Sequence, residues 1–218
     1  MIEAHSIYKT LGSRPVLQGV SITVPSGSLT CVTGPSGCGK STLLNCLGML
    51  EPIDEGRILL DGVDTTCVKE RTRTRLYRRK IGFLFQNYAL IESDSVDANL
   101  DIALTYSDTP KSDRRESKEQ ALATVGLRGY SARKIHELSG GEQQRVAVAR
   151  LLIKRPHIIL ADEPTAALDP INRDVILTLL QALRDSGCAI VLSTHDRFVA
   201  KQCDTEISLP THSNASRS

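Results

Sequence analysis

The sequence predicts an α/β fold with a largely parallel sheet, and three observations lead to this prediction. Short runs rich in β-branched residues alternate with segments of helical period along much of the 218-residue chain. A chain of this length can bury one good core and has room for a small subdomain. Between residues 87 and 155 helical patterns follow one another without a convincing strand. This stretch therefore predicts a helical subdomain inserted into the α/β core.

The elements of the core are assigned from apolar runs and turn signals, in chain order. Leu29–Thr33 is predicted to be a buried strand that leads into a glycine-rich loop, and the helix after it runs from Gly39 to about Leu50. The other predicted strands are Arg57–Leu60, Ile81–Phe85, Ile158–Asp162 and Ala189–Ser193. A helix from about Pro170 to Asp185 connects the last two strands, and Gly187 is its stop signal.

The inserted stretch and the chain end complete a one-domain organisation over residues 1–218. The predicted helices of the insertion are Val96–Tyr106, Ser112–Val125 and Gly140–Leu152. Residues 1–86 and 156–209 then form the α/β core, and 87–155 form the helical subdomain. The polar, serine-rich residues 210–218 are predicted to be a flexible tail.

Composition argues against a nucleic-acid-binding protein. The net charge is only +2, aromatic residues make up 4% of the chain and tryptophan is absent, so no stacking platform for single strands is expected. Residues 69–80 carry seven basic side chains, which is compatible with nucleic acid or with anionic lipid headgroups. A solvated helix face is the favoured interpretation, because Tyr77 is the single aromatic residue among these cations and the total charge of the chain is near neutral.

Cysteine usage and hydropathy indicate a reduced, cytosolic environment. The six cysteines form no CxxC pair and no metal-ligand spacing, and several fall in apolar strand patterns, where a free thiol behaves as a small hydrophobe. The N-terminus has no signal-peptide pattern, and no window reaches the length of a membrane helix. If the protein works at a membrane, another chain must provide the span.

Residues 34–41 read Gly-Pro-Ser-Gly-Cys-Gly-Lys-Ser, which fits the phosphate-loop pattern G-x-x-x-x-G-K-[ST] between a strand and a helix. The glycines let backbone N–H groups face the phosphates, and the helix that follows adds its positive end. Lys40 is expected to reach the terminal phosphates and the Ser41 hydroxyl to bind Mg²⁺. The predicted ATP-binding residues are Gly34, Pro35, Ser36, Gly37, Cys38, Gly39, Lys40, Ser41 and Thr42.

Two adjacent carboxylates end the strand Ile158–Asp162. Asp162 is expected to hold Mg²⁺, through water, as the matching aspartate does in phosphate-loop ATPases. Side chains of adjacent residues at a strand end point in different directions, so Glu163 can face the attacking water instead. We therefore predict Glu163 as the general base; the alternative is an ordinary surface carboxylate.

The segment Leu138–Gln143, here called the signature segment, reads Leu-Ser-Gly-Gly-Glu-Gln and opens a predicted helix. Ser139 is expected to be its N-cap, with backbone N–H groups exposed as a second anion site. The phosphate loop already serves the phosphates of one nucleotide. The second site therefore needs another nucleotide or another subunit, unless the segment is simply a capped helix.

With these three motifs, the chain resembles the ATPase subunit of an ABC transporter from about Tyr8 to His195. The resemblance implies a RecA-like phosphate-loop core with a mostly parallel sheet, a small antiparallel β region and the inserted helical subdomain. It also implies a head-to-tail homodimer in which one subunit closes over the γ-phosphate that the other holds. The residues that would act on the partner's ATP are Leu138, Ser139, Gly140, Gly141, Glu142, Gln143 and Asp169.

Three further residues gain a role only through the resemblance. Gln86 follows the predicted Ile81–Phe85 strand and is similar to the glutamine that touches Mg²⁺ or water. His195 follows the last strand and is similar to the histidine that contacts the γ-phosphate. Tyr8 lies 26 residues before Gly34 and resembles the aromatic that stacks on adenine, with a packing tyrosine as the alternative.

The sequence around residues 86–100 looks most similar to compact ATPases that work with macrolide- and lipoprotein-export permeases, including exporters of bacteriocins, antimicrobial peptides and haem. The resemblance implies a membrane permease that docks near residues 87–105 at the cytoplasmic face of the cell membrane. It also implies export of an amphiphilic or hydrophobic compound. The short chain leaves no room for the C-terminal regulatory domain common in importer ATPases.

Other functions of related ATPases remain as alternatives. A non-transporting regulatory ATPase of the cell-division type would use the same motifs to transmit force or signal through a permease-like partner. DNA-repair and chromosome ATPases place a long coiled coil between phosphate loop and signature, and no heptad run occurs here. Ribosome-associated members carry two cassettes in one chain, whereas this chain has one.

Overall fold

The computed structural model describes residues 1–105, 107 and 109–210. Of the predicted flexible tail, Pro210 has no regular secondary structure and residues 211–218 lie outside the described residues. Tyr106, the predicted last residue of a subdomain helix, also lies outside them.

A five-stranded parallel sheet forms the centre of the core, with strand order β6-β7-β8-β3-β9. Its strands are β3 (Ser28–Thr33), β6 (Ile81–Leu84), β7 (Ile158–Asp162), β8 (Ala189–Ser193) and β9 (Thr205–Ser208). The α/β class and the first four of these strands match the sequence prediction. The edge strand β9 was not predicted, because its four residues are mostly exposed and carry no apolar run.

A second sheet of four antiparallel strands, in the order β2-β1-β4-β5, provides the small β region that the resemblance implies. Its strands are β1 (Ile2–Leu11), β2 (Arg14–Val24), β4 (Glu55–Leu60) and β5 (Val63–Asp64). The hairpin of β1 and β2 turns at Gly12, whose φ of 61° suits a tight turn. Of these strands, most of β4 was predicted from the sequence. The alternation of β1 is interrupted by repeated register shifts, so it gives no clear strand pattern.

Seven α-helices are described. They are α1 (Lys40–Leu47), α2 (Glu70–Arg79), α3 (Val96–Leu104), α4 (Arg114–Thr124), α5 (Gly140–Lys154), α6 (Pro170–Asp185) and α7 (Arg197–Ala200). Helix α1 ends at Leu47, earlier than predicted, and Met49 just after it has a left-handed φ of 57°, which cannot continue a right-handed helix. Helix α2 carries most of the basic run and buries only Leu76, which fits the solvated-face interpretation.

The helices described between residues 87 and 155 are α3, α4, α5 and a short 3-10 helix at Ile135–Glu137. Among the described residues of this stretch, β pairing is limited to one isolated bridge between Ser95 and Lys134. The side chain of Lys118 in α4 holds α3 through Asp97 (2.7 Å) and Asp101 (2.9 Å).

The parallel sheet separates two hydrophobic cores. In β8, Ile190 and Leu192 pack on the side of α5 and α6, whereas Ala189 and Val191 pack on the side of α1 and the antiparallel sheet. Both faces of these strands are covered, which is why they read as continuous apolar runs. Four of the six free cysteines are buried here, Cys67 is exposed and Cys203 is half-buried.

The described residues contain neither a membrane-spanning helix nor a cluster of metal-binding side chains. No helix among them is long and apolar enough to cross a membrane. In the same part of the chain, no cluster of three or more histidine, cysteine or acidic side chains could hold a metal ion.

The direction of the parallel strands places the predicted site. The chain leaves β3 into the phosphate loop, β6 towards Gln86, β7 into Glu163 and β8 towards His195. Carboxyl ends of parallel strands meet at one edge of a sheet, and ligands of such sheets bind beyond that edge. Four separate chain segments are thereby brought to one place.

Candidate functional site

The phosphate loop connects β3 to α1 and has a backbone that only glycine can adopt at two points. Gly34 has a φ of 145°, and a Cβ there would lie 2.6 Å from the Cys38 sulfur. Gly39 has a φ of 104°, and its Cβ would lie 2.9 Å from Val16. Any side chain at either position would force the loop open.

The N-terminus of α1 is available to an anion. Gly39 is its N-cap, and no side chain accepts a hydrogen bond from the first turn of the helix. Unpaired N–H groups and the helix dipole together attract phosphate. The fold therefore supplies the anion site that the phosphate-loop pattern predicts.

Lys40 is a buried cation at the start of this helix. Its Nζ donates to the carbonyl oxygens of Gly34 (2.9 Å) and Pro35 (3.3 Å) and lies 3.8 Å from a carboxylate oxygen of Glu163. The lysine is thus folded back over its own loop, where its charge faces the space that the loop encloses.

The hydroxyl groups of Ser41 and Ser193 both donate to one oxygen of Asp162, at 3.0 and 2.6 Å. Asp162 ends β7 beside Ser193, its register partner in β8. Ser193 is fully buried, and its oxygen also accepts the backbone N–H of Glu163 at 2.9 Å. This buried serine therefore fixes the two adjacent carboxylates relative to each other.

Glu163 has a φ of 45°, a left-handed conformation that costs a non-glycine residue roughly 1–2 kcal/mol. The turn points its carboxylate away from Asp162 and towards His195, whose Nδ1 lies 3.0 Å from both carboxylate oxygens. Glu163 is largely buried, whereas His195 is about two-thirds exposed. Strained residues of this kind cluster at functional sites, where the surrounding contacts maintain them.

A cavity of about 820 Å³ opens over these residues. The phosphate loop and α1 line it with Ser36, Gly37, Gly39, Lys40, Ser41 and Thr42. The other lining residues are Leu11, Arg14, Val16, Gln86, Glu163, Ala166 and His195. The structure thus brings Gln86, Glu163 and His195 to the predicted nucleotide site. The side chain of Cys38 is instead buried in the core beneath the loop.

Tyr8 does not line this cavity, and its stacking on adenine stays a prediction. Its ring lies over Gly19 of the neighbouring strand, where an added Cβ would be 3.0 Å from the tyrosine hydroxyl. Leu11 and Val16, from the same hairpin, line the cavity instead. The apolar contact for a base is therefore expected from these two residues.

The signature segment starts α5, and Ser139 is its N-cap as predicted. Ser139 and Glu142 form a reciprocal capping box, in which Glu142 accepts from the backbone N–H (2.8 Å) and the hydroxyl (2.9 Å) of Ser139. The backbone hydrogen bond from Ser139 is the main cause that lowers the pKa of the Glu142 carboxyl. Gln143 donates to the carbonyl of Leu138 at 3.0 Å, which closes the segment on itself.

Helix α6 packs closely against the start of α5. A Cβ on Gly141 would lie 2.4 Å from the side chain of Asn172, so only glycine fits at this contact. Asn172 also bonds to Asp169, the N-cap of α6, through its backbone N–H (3.0 Å) and its side-chain amide (2.5 Å). Asn172 therefore joins the signature segment to Asp169, although no sequence motif marks it.

The signature segment and Asp169 do not line the cavity of the phosphate loop. Ser139 is exposed at the end of its helix, and beside Asp169 the side chain of Ile171 is 78% exposed. The start of α5 thus lies apart from the phosphate loop of its own chain. A phosphate held by that loop is therefore not within reach of the signature segment of the same chain.

Several known proteins are similar in sequence to this chain. A family model described as ABC transporter matches residues 17–166. The methionine import ATP-binding protein MetN of Thermobifida fusca is 42% identical over 206 residues, which cover 93% of this chain and 64% of that protein. The macrolide export ATP-binding/permease protein MacB of Escherichia coli is 38% identical over 218 residues, 95% of this chain and 34% of MacB.

A relative of similar length and two solved structures also match. The lipoprotein-releasing system ATP-binding protein LolD of Aquifex aeolicus is 37% identical over 201 residues, 92% of this chain and 90% of LolD. The dimeric structure of the bacterial ABC transporter cassette MJ0796 superposes with a TM-score of 0.87 at 35% identity, covering 96% of this chain and 94% of that one. A dimeric post-hydrolysis structure of that cassette, bound to ADP and Pi, has the same TM-score at 34% identity.

This chain therefore belongs to the ABC transporter family. The chain spans about two-thirds of MetN and one-third of MacB. These relatives include both an import protein and export proteins, so family membership alone leaves the direction of transport open.

Proposed function

We propose that this chain binds Mg·ATP in the cavity at the carboxyl edge of the parallel sheet and hydrolyses it, with Glu163 as the general base. The observation that carries the proposal is the convergence of Lys40 and Glu163, from separate chain segments, at one cavity, where Ser41 of the lining also donates a hydrogen bond to Asp162. Lys40 releases the loop carbonyls and binds the terminal phosphates. The first turn of α1 supplies backbone N–H groups to the same anion.

The donor set of the site fits Mg²⁺. The Ser41 hydroxyl and the Asp162 carboxylate lie 3.0 Å apart, and the Gln86 amide lines the same cavity. All three provide oxygen, the ligand type that Mg²⁺ prefers in phosphate-transfer sites. The ion, when bound, would neutralise charge on the phosphate oxygens.

Glu163 accepts the proton of the water whose oxygen attacks the γ-phosphorus. The bond from the γ-phosphorus to the bridging oxygen breaks, so ADP leaves with that oxygen and the γ-phosphoryl group becomes inorganic phosphate. The neighbours of Glu163 support this role, since His195 lies 3.0 Å from both carboxylate oxygens and the Glu163 backbone is held by Ser193. His195 is also exposed enough to contact the γ-phosphate. Proton transfer by a positioned group of this kind contributes roughly 10²–10⁴-fold to a rate.

The active unit in this proposal is a head-to-tail homodimer. Ser139 and Gly141 of one subunit bind the γ-phosphate held by the phosphate loop of the other, and Asp169 lies at the same interface. The position of the signature segment outside its own chain's cavity supports this arrangement, as does the exposed Ile171 beside Asp169. The superposed cassette MJ0796 is itself a dimer.

The dimer in turn drives a membrane permease, which docks near residues 87–105 on the cytoplasmic face of the membrane. Ile91 and Ile102 are 46% and 47% exposed in this stretch, so they offer apolar contacts to a partner helix. Export of an amphiphilic or hydrophobic compound is favoured by similarity to LolD over 90% of that protein and to MacB. The alternative direction is represented by MetN.

Steady-state ATPase assays test the residue roles. Lys40→Ala and Glu163→Gln are each expected to lower turnover at least about 100-fold. Glu163→Gln should retain ATP binding, because it keeps the shape of the side chain. Lys201→Ala, at an exposed position away from the cavity, serves as the control with unchanged turnover. Undiminished turnover in either site variant would refute its assigned role.

Transport direction is tested in inside-out membrane vesicles that contain the chain and its permease. With ATP added outside, export predicts accumulation of an amphiphilic peptide or dye in the lumen by the wild type but not by Glu163→Gln. ATP-dependent uptake that occurs only in right-side-out vesicles loaded with ATP would identify an importer instead.

A further inference from the structure

The segment that follows Gln86 has an unusual backbone. Tyr88 and Ala89 both have left-handed conformations, with φ of 62° and 47°. Two consecutive non-glycine residues in this region are strained, so surrounding contacts must hold them in place. The strain lies two residues beyond the glutamine that lines the nucleotide cavity.

Arg150 of α5 provides the contact that holds this segment. One guanidinium nitrogen donates to the carbonyl of Ala89 at 2.7 Å and the other to the carbonyl of Tyr88 at 2.9 Å. The planar fork of arginine can bridge two neighbouring carbonyls in this way, whereas a lysine ammonium cannot reproduce its geometry. Within the described chain, no ion pair to Arg150 competes with these bonds, and burial lowers the pKa of its guanidinium.

The same segment also contacts the beginning of α5. A Cβ on Gly140 would lie 2.7 Å from the hydroxyl of Tyr88, so the tyrosine side chain rests on the signature segment. Tyr88 is therefore attached to α5 twice, at its first residue through the ring and in its third turn through the carbonyl that Arg150 binds. These contacts join the segment and the helix into one mechanical unit.

We propose that Arg150 is a positioning residue that makes Gln86 and the signature segment of one subunit move together. The inference rests on the proposed homodimer, in which Gln86 serves the ATP of its own subunit and Ser139 serves that of the partner. A rigid connection between them couples the two ATP sites. Nucleotide engaged at one Gln86 then orients the signature segment over the other nucleotide.

Coupled sites predict cooperative hydrolysis, so the test compares rate curves against ATP concentration. Wild type is expected to give a Hill coefficient above 1. Arg150→Lys, which keeps the charge but loses the fork, is expected to bring that coefficient close to 1 and lower kcat about tenfold. The monomer's affinity for ATP, measured by equilibrium binding, should change less than twofold. Lys154→Ala is the matched control, since it removes a half-buried cation one turn further along α5.

A double-mutant cycle separates positioning from general packing. If Arg150 acts through the segment of Gln86, Arg150→Lys should cost little further rate in a Gln86→Ala background. Independent, additive losses would overturn the inference, and so would an Arg150→Lys enzyme with wild-type kcat and Hill coefficient. Tyr88→Phe gives a second variant with an intact backbone contact. It is expected to fold and to lower the Hill coefficient, and a wild-type coefficient would count against the second attachment.

If the proposed homodimer itself is wrong, the same measurements give a different result. If the wild type shows no ATP-dependent dimer and a Hill coefficient of 1, the homodimer is wrong and the coupling falls with it. If the wild type is dimeric and cooperative and Arg150→Lys is unchanged, only the coupling role is wrong.

Discussion

Ser193 is a small residue that contacts both acidic residues of the proposed site, Asp162 and Glu163. Its hydroxyl donates to Asp162, and its oxygen accepts the N–H of the strained Glu163. A strand-end serine carries no motif, so its role was not predicted from the sequence. Ser193 could be recognised only from its pairing with Asp162 between neighbouring strands, and that pairing is not known until the strand order is known.

Ser193→Ala is expected to lower kcat roughly tenfold to a hundredfold while leaving ATP binding nearly unchanged. The substitution removes a donor to Asp162 and leaves the N–H of Glu163 buried without a partner, a loss of about 1–3 kcal/mol. Steady-state kinetics and equilibrium binding check the two parts. Ser28→Ala is the control, because that hydroxyl bonds to the carbonyl of Pro25 away from the site. Wild-type kcat in Ser193→Ala would show that the buried serine has no catalytic importance.

Leu11 and Tyr8 are two candidates for the contact with the base, Leu11 because it lines the cavity and Tyr8 because of the sequence resemblance. Leu11→Ala is expected to raise the Kd for ATP roughly fourfold to fifteenfold, corresponding to one or two buried methylenes at about 0.8 kcal/mol each. Tyr8→Ala should change that Kd little, because Tyr8 does not line the cavity. Titration with a fluorescent ATP analogue measures both. A larger rise in Kd for Tyr8→Ala than for Leu11→Ala would assign the base contact to Tyr8.

At the scale of elements, prediction succeeded where burial produced a regular pattern. Strands β7 and β8 are covered on both faces, and their apolar runs gave their bounds to the residue. Strands β2 and β9 are largely exposed on one side, and β1 is interrupted by register shifts, so no comparable pattern existed. The motifs of the phosphate loop and of Asp162–Glu163 could be recognised because binding phosphate and Mg²⁺ requires particular residue types at a particular spacing.

Helix α5 ends with a half-buried lysine whose charge is unfavourable. Burial, and then the charge of Arg150 one turn earlier, lowers the pKa of Lys154 to about 8. Below pH 8 the amine is charged in both the folded and the unfolded chain, so the full cost of burying it is present. As pH rises from 8 towards 10.5, the folded chain loses this proton first and the cost disappears.

Lys154→Met is therefore expected to be more stable than the wild type at pH 7, by on the order of 1–2 kcal/mol after discounting for partial exposure. The difference should shrink as pH is raised towards 10. Denaturant unfolding at several pH values measures it, with Lys201→Met as an exposed control that lacks this pH dependence. A stability difference that grows with pH would contradict the assigned cause.

At the scale of the whole molecule, the residues proposed to act on ATP form two groups, the proposed half-sites, that do not meet within the chain. The phosphate loop and Glu163 line one cavity, and Asp162 accepts a hydrogen bond from Ser41 of that loop. Ser139, Gly141 and Asp169 lie elsewhere, where Asn172 joins them. The sequence predicted both groups through their motifs. It also predicted where a permease would dock, near residues 87–105, but not the cargo, because a cargo would contact the permease and not this chain.

Sedimentation of Glu163→Gln with and without Mg·ATP tests the two-half-site account most directly. The variant should bind ATP without turning it over, and should therefore accumulate as a dimer of twice the 23.8 kDa chain mass only when ATP is present. Adding Ser139→Arg in the same background should keep it monomeric while ATP still binds. A Glu163→Gln chain that binds ATP and yet remains a monomer at every concentration tested would contradict the account.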